Sequence, residues 1–254
     1  MTPESNHLDK PVREITQELL KGLKHILQEK LFAVYLYGAA AFPGLGAIHD
    51  IDFHVILRET LSEKEKQDLL SLHSSLGEQF PTLGQELDGY YILHEEALRT
   101  NPPRHQLSPG IVDESWALHR EHMRAGRCII LHGPDPKDIF SPCSWQELEL
   151  CLQAELRYIE EHLNEFPDYC ILNLCRLMYS VSTRDVVVSK LMGAVWAEDI
   201  FPEWKPLIRA ARKSYNRHVT SHEKKLLNSK IGAFLDFARI RILNKLSPPI
   251  TRRI

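Results

Sequence analysis

Residues 32–57 constrain this chain most: Phe-Ala-Val-Tyr-Leu-Tyr-Gly-Ala-Ala-Ala-Phe-Pro-Gly-Leu-Gly-Ala-Ile-His-Asp-Ile-Asp-Phe-His-Val-Ile-Leu. An apolar run ends at Gly38, a small-residue loop follows, and Asp50-Ile51-Asp52 heads a second apolar run. Side chains at i and i+2 of a strand share a face. A strand over 50–57 therefore projects Asp50 and Asp52 together. Two carboxylates side by side repel and make a poor core. They suit a hard divalent cation, which binds through oxygen. Strand, glycine turn and paired aspartates make a layout for nucleotide phosphates and magnesium.

A third carboxylate would complete such a site. Asp88 lies on a later strand, residues 85–93, and Glu86 shares its face; the residues alone leave the two as alternatives. Three carboxylates can hold Mg²⁺ and leave an oxygen to accept a proton from an attacking hydroxyl. The turn at Gly38, running into Ala39, presents backbone N–H groups to an anion where a short helix begins. Gly44-Leu45-Gly46 has no third glycine at the spacing of a dinucleotide fingerprint, and no P-loop motif is present. His49 precedes the aspartate pair and is a candidate phosphate contact. His119 and His122 form an i, i+3 pair with no partner spacing that supports a metal.

The 254 residues suffice for one large domain or two modest ones. No apolar run reaches the roughly 20 residues needed to cross a bilayer, and the first ten residues lack the form of a signal peptide. Five cysteines without Cys-x-x-Cys spacing read as reduced thiols of a cytoplasmic protein, not as a disulfide framework or zinc site.

Residues 14–30 place Ile15, Leu19, Leu20, Leu23, Ile26 and Leu27 on one helical stripe. Strands follow at 31–37 and 50–58. A capping box at Ser62-Glu65 opens a helix. After the third strand, residues 100–112 form a proline-rich loop long enough to be a binding element or lid. A helix at 113–126 and a short strand at 127–132 close the first half. Helices are expected over 144–165, 168–184, 186–199, 203–217 and 221–246. The fold class is α+β: a mixed sheet with flanking helices over 1–142, and an all-α bundle over 143–254.

Charge divides unevenly. Residues 203–254 carry +10 and residues 1–202 carry −13. The basic segment reads as solvated helix faces, with a phosphate- or nucleic-acid-facing surface as the sharper alternative. No Arg/Gly repeats or interleaved aromatics support nucleic acid. Residues 145–168 hold seven acids against Arg157 alone, either a solvated face or a wall for a cationic substrate. Arg176 lies in a mostly apolar helix, and Lys190 follows Val186-Val187-Val188-Ser189. Both read as structural ion pairs or as triphosphate contacts.

These residues carry a resemblance. Leu36-Tyr37-Gly38-Ala39 followed by Asp50-Ile51-Asp52 resembles the signature of the polymerase-beta-like nucleotidyltransferases. More narrowly, the chain is similar to the aminoglycoside adenylyltransferases that modify streptomycin and spectinomycin. Ile129-Ile130-Leu131-His132-Gly133-Pro134, Asn173-Leu174-Cys175-Arg176-Leu177-Met178-Tyr179-Ser180, Ser189-Lys190, Trp196 and Ala210-Ala211-Arg212-Lys213-Ser214-Tyr215 extend the likeness over about residues 30–217.

The resemblance implies a two-domain enzyme that uses ATP and Mg²⁺ to place AMP on an acceptor hydroxyl. It implies Asp50 and Asp52 as metal ligands, joined by Asp88, which stands at the general base. It implies Arg176 and Lys190, with Gly38 and Ala39, as nucleotide contacts, and Asp168 and Tyr169 as acceptor contacts. The expected partners are ATP and a small cationic acceptor, with no membrane and a monomeric state. Two residues depart from the pattern: Ala39 replaces a serine, and Asp88 is one methylene shorter than the usual glutamate. The alternatives are a nucleotide-binding protein with weak or no transfer, or an adenylyltransferase acting on protein or RNA.

Overall fold

The computed structural model describes residues 8–42 and 48–246. Gly44-Leu45-Gly46, most of the N-terminal stretch read for a leader, and the end of the basic segment lie outside the described residues. The chain divides into two compact units, Met1–Cys143 and Ser144–Ile254.

The first unit is a mixed sheet between helices. Its elements run α1 (Lys10–Leu27), β1 (Leu31–Leu36), β2 (Ile51–Leu57), α2 (Glu63–Gln79), β3 (Leu87–Leu93), α3 (His94–Ala97), α4 (Trp116–Arg124), β4 (Ile129–His132) and α5 (Pro136–Ile139). The strand order is β3-β2-β1-β4. β1 runs antiparallel to β2 and β4, and β2 runs parallel to β3. α1 starts four residues before the expected position, because proline is tolerated in the first helical turn. The capping box at Ser62 and Glu65 forms as expected and opens α2.

The period of two sorts the strands onto two cores. Ile51, Phe53, Val55 and Leu57 of β2 join Ile15, Leu19 and Leu23 of α1 and Leu69 and Leu76 of α2. The opposite sheet face holds Ala33, Tyr35, Tyr37, Ile56 and Ile92, packed against Trp116, Met123, Ile139 and Phe140. That second face carries the polar residues of β2.

Residues 100–112 are held against edge strand β3. Gln106 N donates to Tyr91 O at 2.7 Å, and Arg104 bridges Val112. The His105 ring meets Gly89 O through Nε2 at 2.9 Å, while its Nδ1 accepts from Leu107 N and Ser108 N. Covering an edge with a loop removes a template for strand pairing.

The second unit is helical: α6 (Trp145–His162), α7 (Pro167–Thr183), α8 (Lys190–Ile200), α9 (Lys205–Tyr215) and α10 (Ser221–Leu243). One boundary corrects the expectation. Residues 186–189 are not helical, and α8 begins at Lys190 behind the cap of Ser189, whose side chain accepts from Met192 N. Three consecutive β-branched valines disfavour a helix start, and Val187 N is taken by Asp185 Oδ1 at 2.8 Å. Among the described residues no helix is long and apolar enough to cross a membrane.

The charge runs resolve into separate structural roles. Glu147 closes the capping box of α6 with Ser144, and Glu149 is buried under the indole N–H of Trp145. Glu155 pairs with Arg176, and Glu160 with Arg239. The acids of 145–168 therefore do not form one continuous wall. In the basic segment, Arg209 and Arg212 both reach buried Glu198, and Lys213 reaches Glu223.

Candidate active site

Asp52 is the second residue of β2, and Asp50 immediately precedes the strand. In the parallel pair Asp52 is the register partner of Asp88. The third carboxylate therefore stands beside the first pair at the entry of both strands. Glu86 lies just outside β3, where its carbonyl accepts from Ile51 N. Asp88 holds its proton above the ordinary carboxylate range. Lost hydration is the first cause, offset by the His119 charge, with the like charges of Asp50 and Asp113 adding to it. Asp50 and Asp88 thus sense each other electrostatically.

Gly38 follows β1 and turns toward this face. Its φ of 60° is left-handed, and a Cβ there would run into the Asp52 carboxylate. Only glycine satisfies both conditions. The preceding Tyr37 N donates to Asp52 O at 3.0 Å, fixing the turn to β2. Gly38–Ala41 forms a 3-10 turn whose first N–H groups lack partners within it. Ala39 is half-buried and offers no hydroxyl. His49 is half-buried before Asp50.

Beneath the carboxylates lies a polar layer that the sequence alone did not single out. His54 is two residues beyond Asp52 on the same face of β2. Its Nε2 meets Asp113 Oδ2 at 3.3 Å, and His119 Nδ1 meets the same oxygen at 2.8 Å. The Tyr37 ring lies 4.6 Å from both imidazoles. Burial and the charges of Asp52, Asp113 and Asp88 hold the Tyr37 hydroxyl neutral. Burial alone would raise Asp113. The charges and hydrogen bonds of His119 and His54 outweigh it, and the carboxyl lies well below its ordinary range.

Among the described residues, the three ligating side chains drawn within 4.8 Å of one another are His54, Asp113 and His119, rather than Asp50, Asp52 and Asp88. The alternation of β2 was a signal for His54. Nothing local signals Asp113, 59 residues further on. His122 does not join His119; its ring meets the edge of Phe42.

The second unit gathers four of the expected residues. Lys190 Nζ lies 4.6 Å from the centre of the Tyr169 ring and 5.1 Å from that of Tyr215. Arg176 binds Glu155 at 2.9 Å. Burial, then the charge of Glu155, raises the Tyr169 hydroxyl. Asp168, in the first turn of α7, accepts from Tyr169 N at 2.9 Å through Oδ1.

Residues 138–240 match the family model of the aminoglycoside adenylyltransferase C-terminal domain. The chain is 26% identical over 229 residues to an aminoglycoside (3'') (9) adenylyltransferase of Klebsiella pneumoniae, covering 78% of this chain and 83% of the relative. It is 23% identical over 241 residues to a spectinomycin 9-adenylyltransferase of Campylobacter jejuni, covering 85% and 90%. A solved Enterococcus spectinomycin adenyltransferase, with ATP and spectinomycin, superposes with a TM-score of 0.71 at 17% identity, covering 89% of this chain and 98% of that one. This chain shares the fold of that solved structure. The chain is thus similar to aminoglycoside and spectinomycin adenylyltransferases, the resemblance that its motifs carry.

Proposed function

We propose that this protein transfers AMP from ATP to a hydroxyl of a small cationic acceptor of the aminoglycoside class, using Mg²⁺. The observation that carries this reading is the register pairing of Asp52 with Asp88, with Gly38 turned against Asp52. The donor set of this face is three carboxylates, and oxygen-only donors fit a hard ion. Asp50, Asp52 and Asp88 would hold it, and the bound ion supplies charge neutralisation of the triphosphate.

The residues of the chain do the rest. Asp88 takes the proton of the acceptor hydroxyl as its oxygen bonds to the α-phosphorus. The bond to the β-phosphate oxygen breaks, and pyrophosphate leaves. A carboxylate with a raised pKa is the stronger base for this role. The Gly38 turn directs N–H groups at phosphate oxygens. Arg176 and Lys190 contribute positive charge to the triphosphate, and Arg176 exchanges Glu155 for phosphate when it does so. Asp168 and Tyr169 bind the acceptor. The relatives' names, spectinomycin and aminoglycoside adenylyltransferases, favour an acceptor of that class.

The test is incubation with labelled ATP, Mg²⁺ and a panel of aminoglycosides and spectinomycin. Label is expected on at least one acceptor, and the Asp50→Asn variant is expected to reduce transfer to background. A panel that stays unlabelled, or label that survives Asp50→Asn, refutes the reading.

Ala39 favours a second reading, a nucleotide-binding protein with weak transfer, because the phosphate loses a hydroxyl partner there. ATP binding by calorimetry without pyrophosphate release over hours would select it. The acid partners of Arg209, Arg212 and Lys213 weigh against an RNA acceptor.

A further inference from the structure

We propose that His54, Asp113 and His119 form a binding site for one divalent transition-metal ion of the zinc class, separate from the three carboxylates assigned to magnesium. The three come from different parts of the first unit: β2, the turn before α4, and α4 itself. Their facing atoms, Nε2, Oδ2 and Nδ1, lie within 4.8 Å of one another. His54 and Asp113 are buried at 0% and 2% exposure. The His119 side chain keeps 23%, so the cluster opens to solvent on one side. That side gives an ion a way in and a fourth ligand from water.

The chemistry of the donors separates this cluster from its neighbour. Two imidazoles and one carboxylate suit zinc and related ions, whereas all-oxygen sets suit magnesium. Two of the three ligand separations compare with a tetrahedral site, and the third lies within 4.8 Å. Bonds of about 2.0–2.1 Å in a tetrahedral site put neighbouring ligand atoms roughly 3.3 Å apart. The His54–Asp113 separation is 3.3 Å. The His119–Asp113 separation is 2.8 Å, and the half-exposed His119 ring can open by the difference.

Two further observations point to a ligand. His54 Nδ1 is buried without a hydrogen-bond partner, so the ring's polar anchor is Nε2. At 3.3 Å, that contact is long for a hydrogen bond to a carboxylate. An ion at Nε2 adds attraction to that long contact. Asp113 Oδ1 accepts from Ser115 N at 3.1 Å, which aims Oδ2 at both rings, as supporting hydrogen bonds do for metal ligands. Aromatic walls from Tyr37 and Trp116 limit water around the ligands and strengthen the electrostatic gain.

The test uses the full-length protein, stripped with a chelator and titrated with Co²⁺ in excess Mg²⁺. Cobalt reports its coordination through visible absorption. One tightly bound ion per chain is expected, with the intense bands of a four-coordinate site. His119→Gln and Asp113→Asn should weaken binding by more than the about 10–100-fold that loss of a supporting partner costs. Asp50→Asn and Asp88→Asn should leave the bands in place. Circular dichroism of His119→Gln, at a half-exposed position, checks that the fold survives. Absent bands, bands abolished by Asp88→Asn, or bands unchanged in His119→Gln would each overturn the site and leave a hydrogen-bonded His-Asp-His cluster. None of these outcomes bears on AMP transfer, which the labelled-ATP assay tests independently.

Discussion

Gly38 shows how much one residue settles. Its left-handed φ and the Asp52 carboxylate pressed against it both exclude a side chain. Gly38→Ala is expected to push Asp52 away and to cost activity far more than stability. An added Cβ in a left-handed residue costs roughly 1–2 kcal/mol, while a displaced carboxylate should lower kcat/KM by at least about 100-fold. Thermal melting and steady-state kinetics on the same variant separate the two. A variant with normal kcat/KM would show that Asp52 is not needed where it stands. Ala39→Ser restores the hydroxyl that the family pattern expects. One hydrogen bond to a charged phosphate contributes about 1.5–3 kcal/mol at best, so the KM for ATP is expected to fall by up to roughly 10- to 150-fold. An unchanged KM would place residue 39 away from the phosphates.

These positions were legible because the Gly38 turn and the Asp50-Ile51-Asp52 pair are local patterns. The register of β2 and β3 sets Asp88 beside Asp52, which residue order alone does not show. The meeting of His54, Asp113 and His119 was hidden for a related reason: it is made by the tertiary fold, and residue order does not encode it.

Elements were readable wherever period and caps agreed. The stripe of α1, the alternation of β2 and the capping box of α2 all form as their patterns require. The start of α8 was misjudged because apolar content masked a cap. Val186, Val187 and Val188 read as helix by hydrophobicity, yet Ser189 is the residue that satisfies the first helical N–H groups. Ser189→Ala is expected to cost about 1 kcal/mol in urea unfolding, and Ser189→Gly only a few tenths. Because Lys190 is the first residue of α8, the alanine variant should also raise the KM for ATP. A Ser189→Ala variant as stable as the native protein would show that the cap contributes nothing. The acids of α6 teach the same lesson from the other side. Composition suggested a face or a wall, but Glu147, Glu149, Glu155 and Glu160 each serve a different local partner.

At the scale of the whole molecule, acid stability follows from histidines held neutral in the interior of the first unit. Burial lowers the pKa of His54, His73 and His105. His73 sits 2.8 Å from the Tyr91 hydroxyl, and His105 holds the loop against β3. The unfolded chain titrates these rings near about 6.5. Between that value and the lower folded pKa, the unfolded state binds more protons, so stability falls as pH drops through the window. Below the folded pKa the slope from each ring vanishes. The melting temperature is therefore expected to fall by several degrees from about pH 7.5 to about pH 5.5. His73→Gln keeps a partner for Tyr91 without the titration, and it should flatten that slope while changing the melting temperature little at the upper pH. Asp113 does not contribute to the loss in this range, because its depressed carboxyl gives up stability only at far lower pH. A flat pH profile in the native protein would mean that folding does not lower the pKa of these rings. A slope that persists unchanged in His73→Gln would move its origin to His54 and His105. Binding of the proposed zinc-class ion makes the same profile steeper. Protons compete with the ion for His54 and His119, so added Co²⁺ should raise the melting temperature more at neutral than at acid pH.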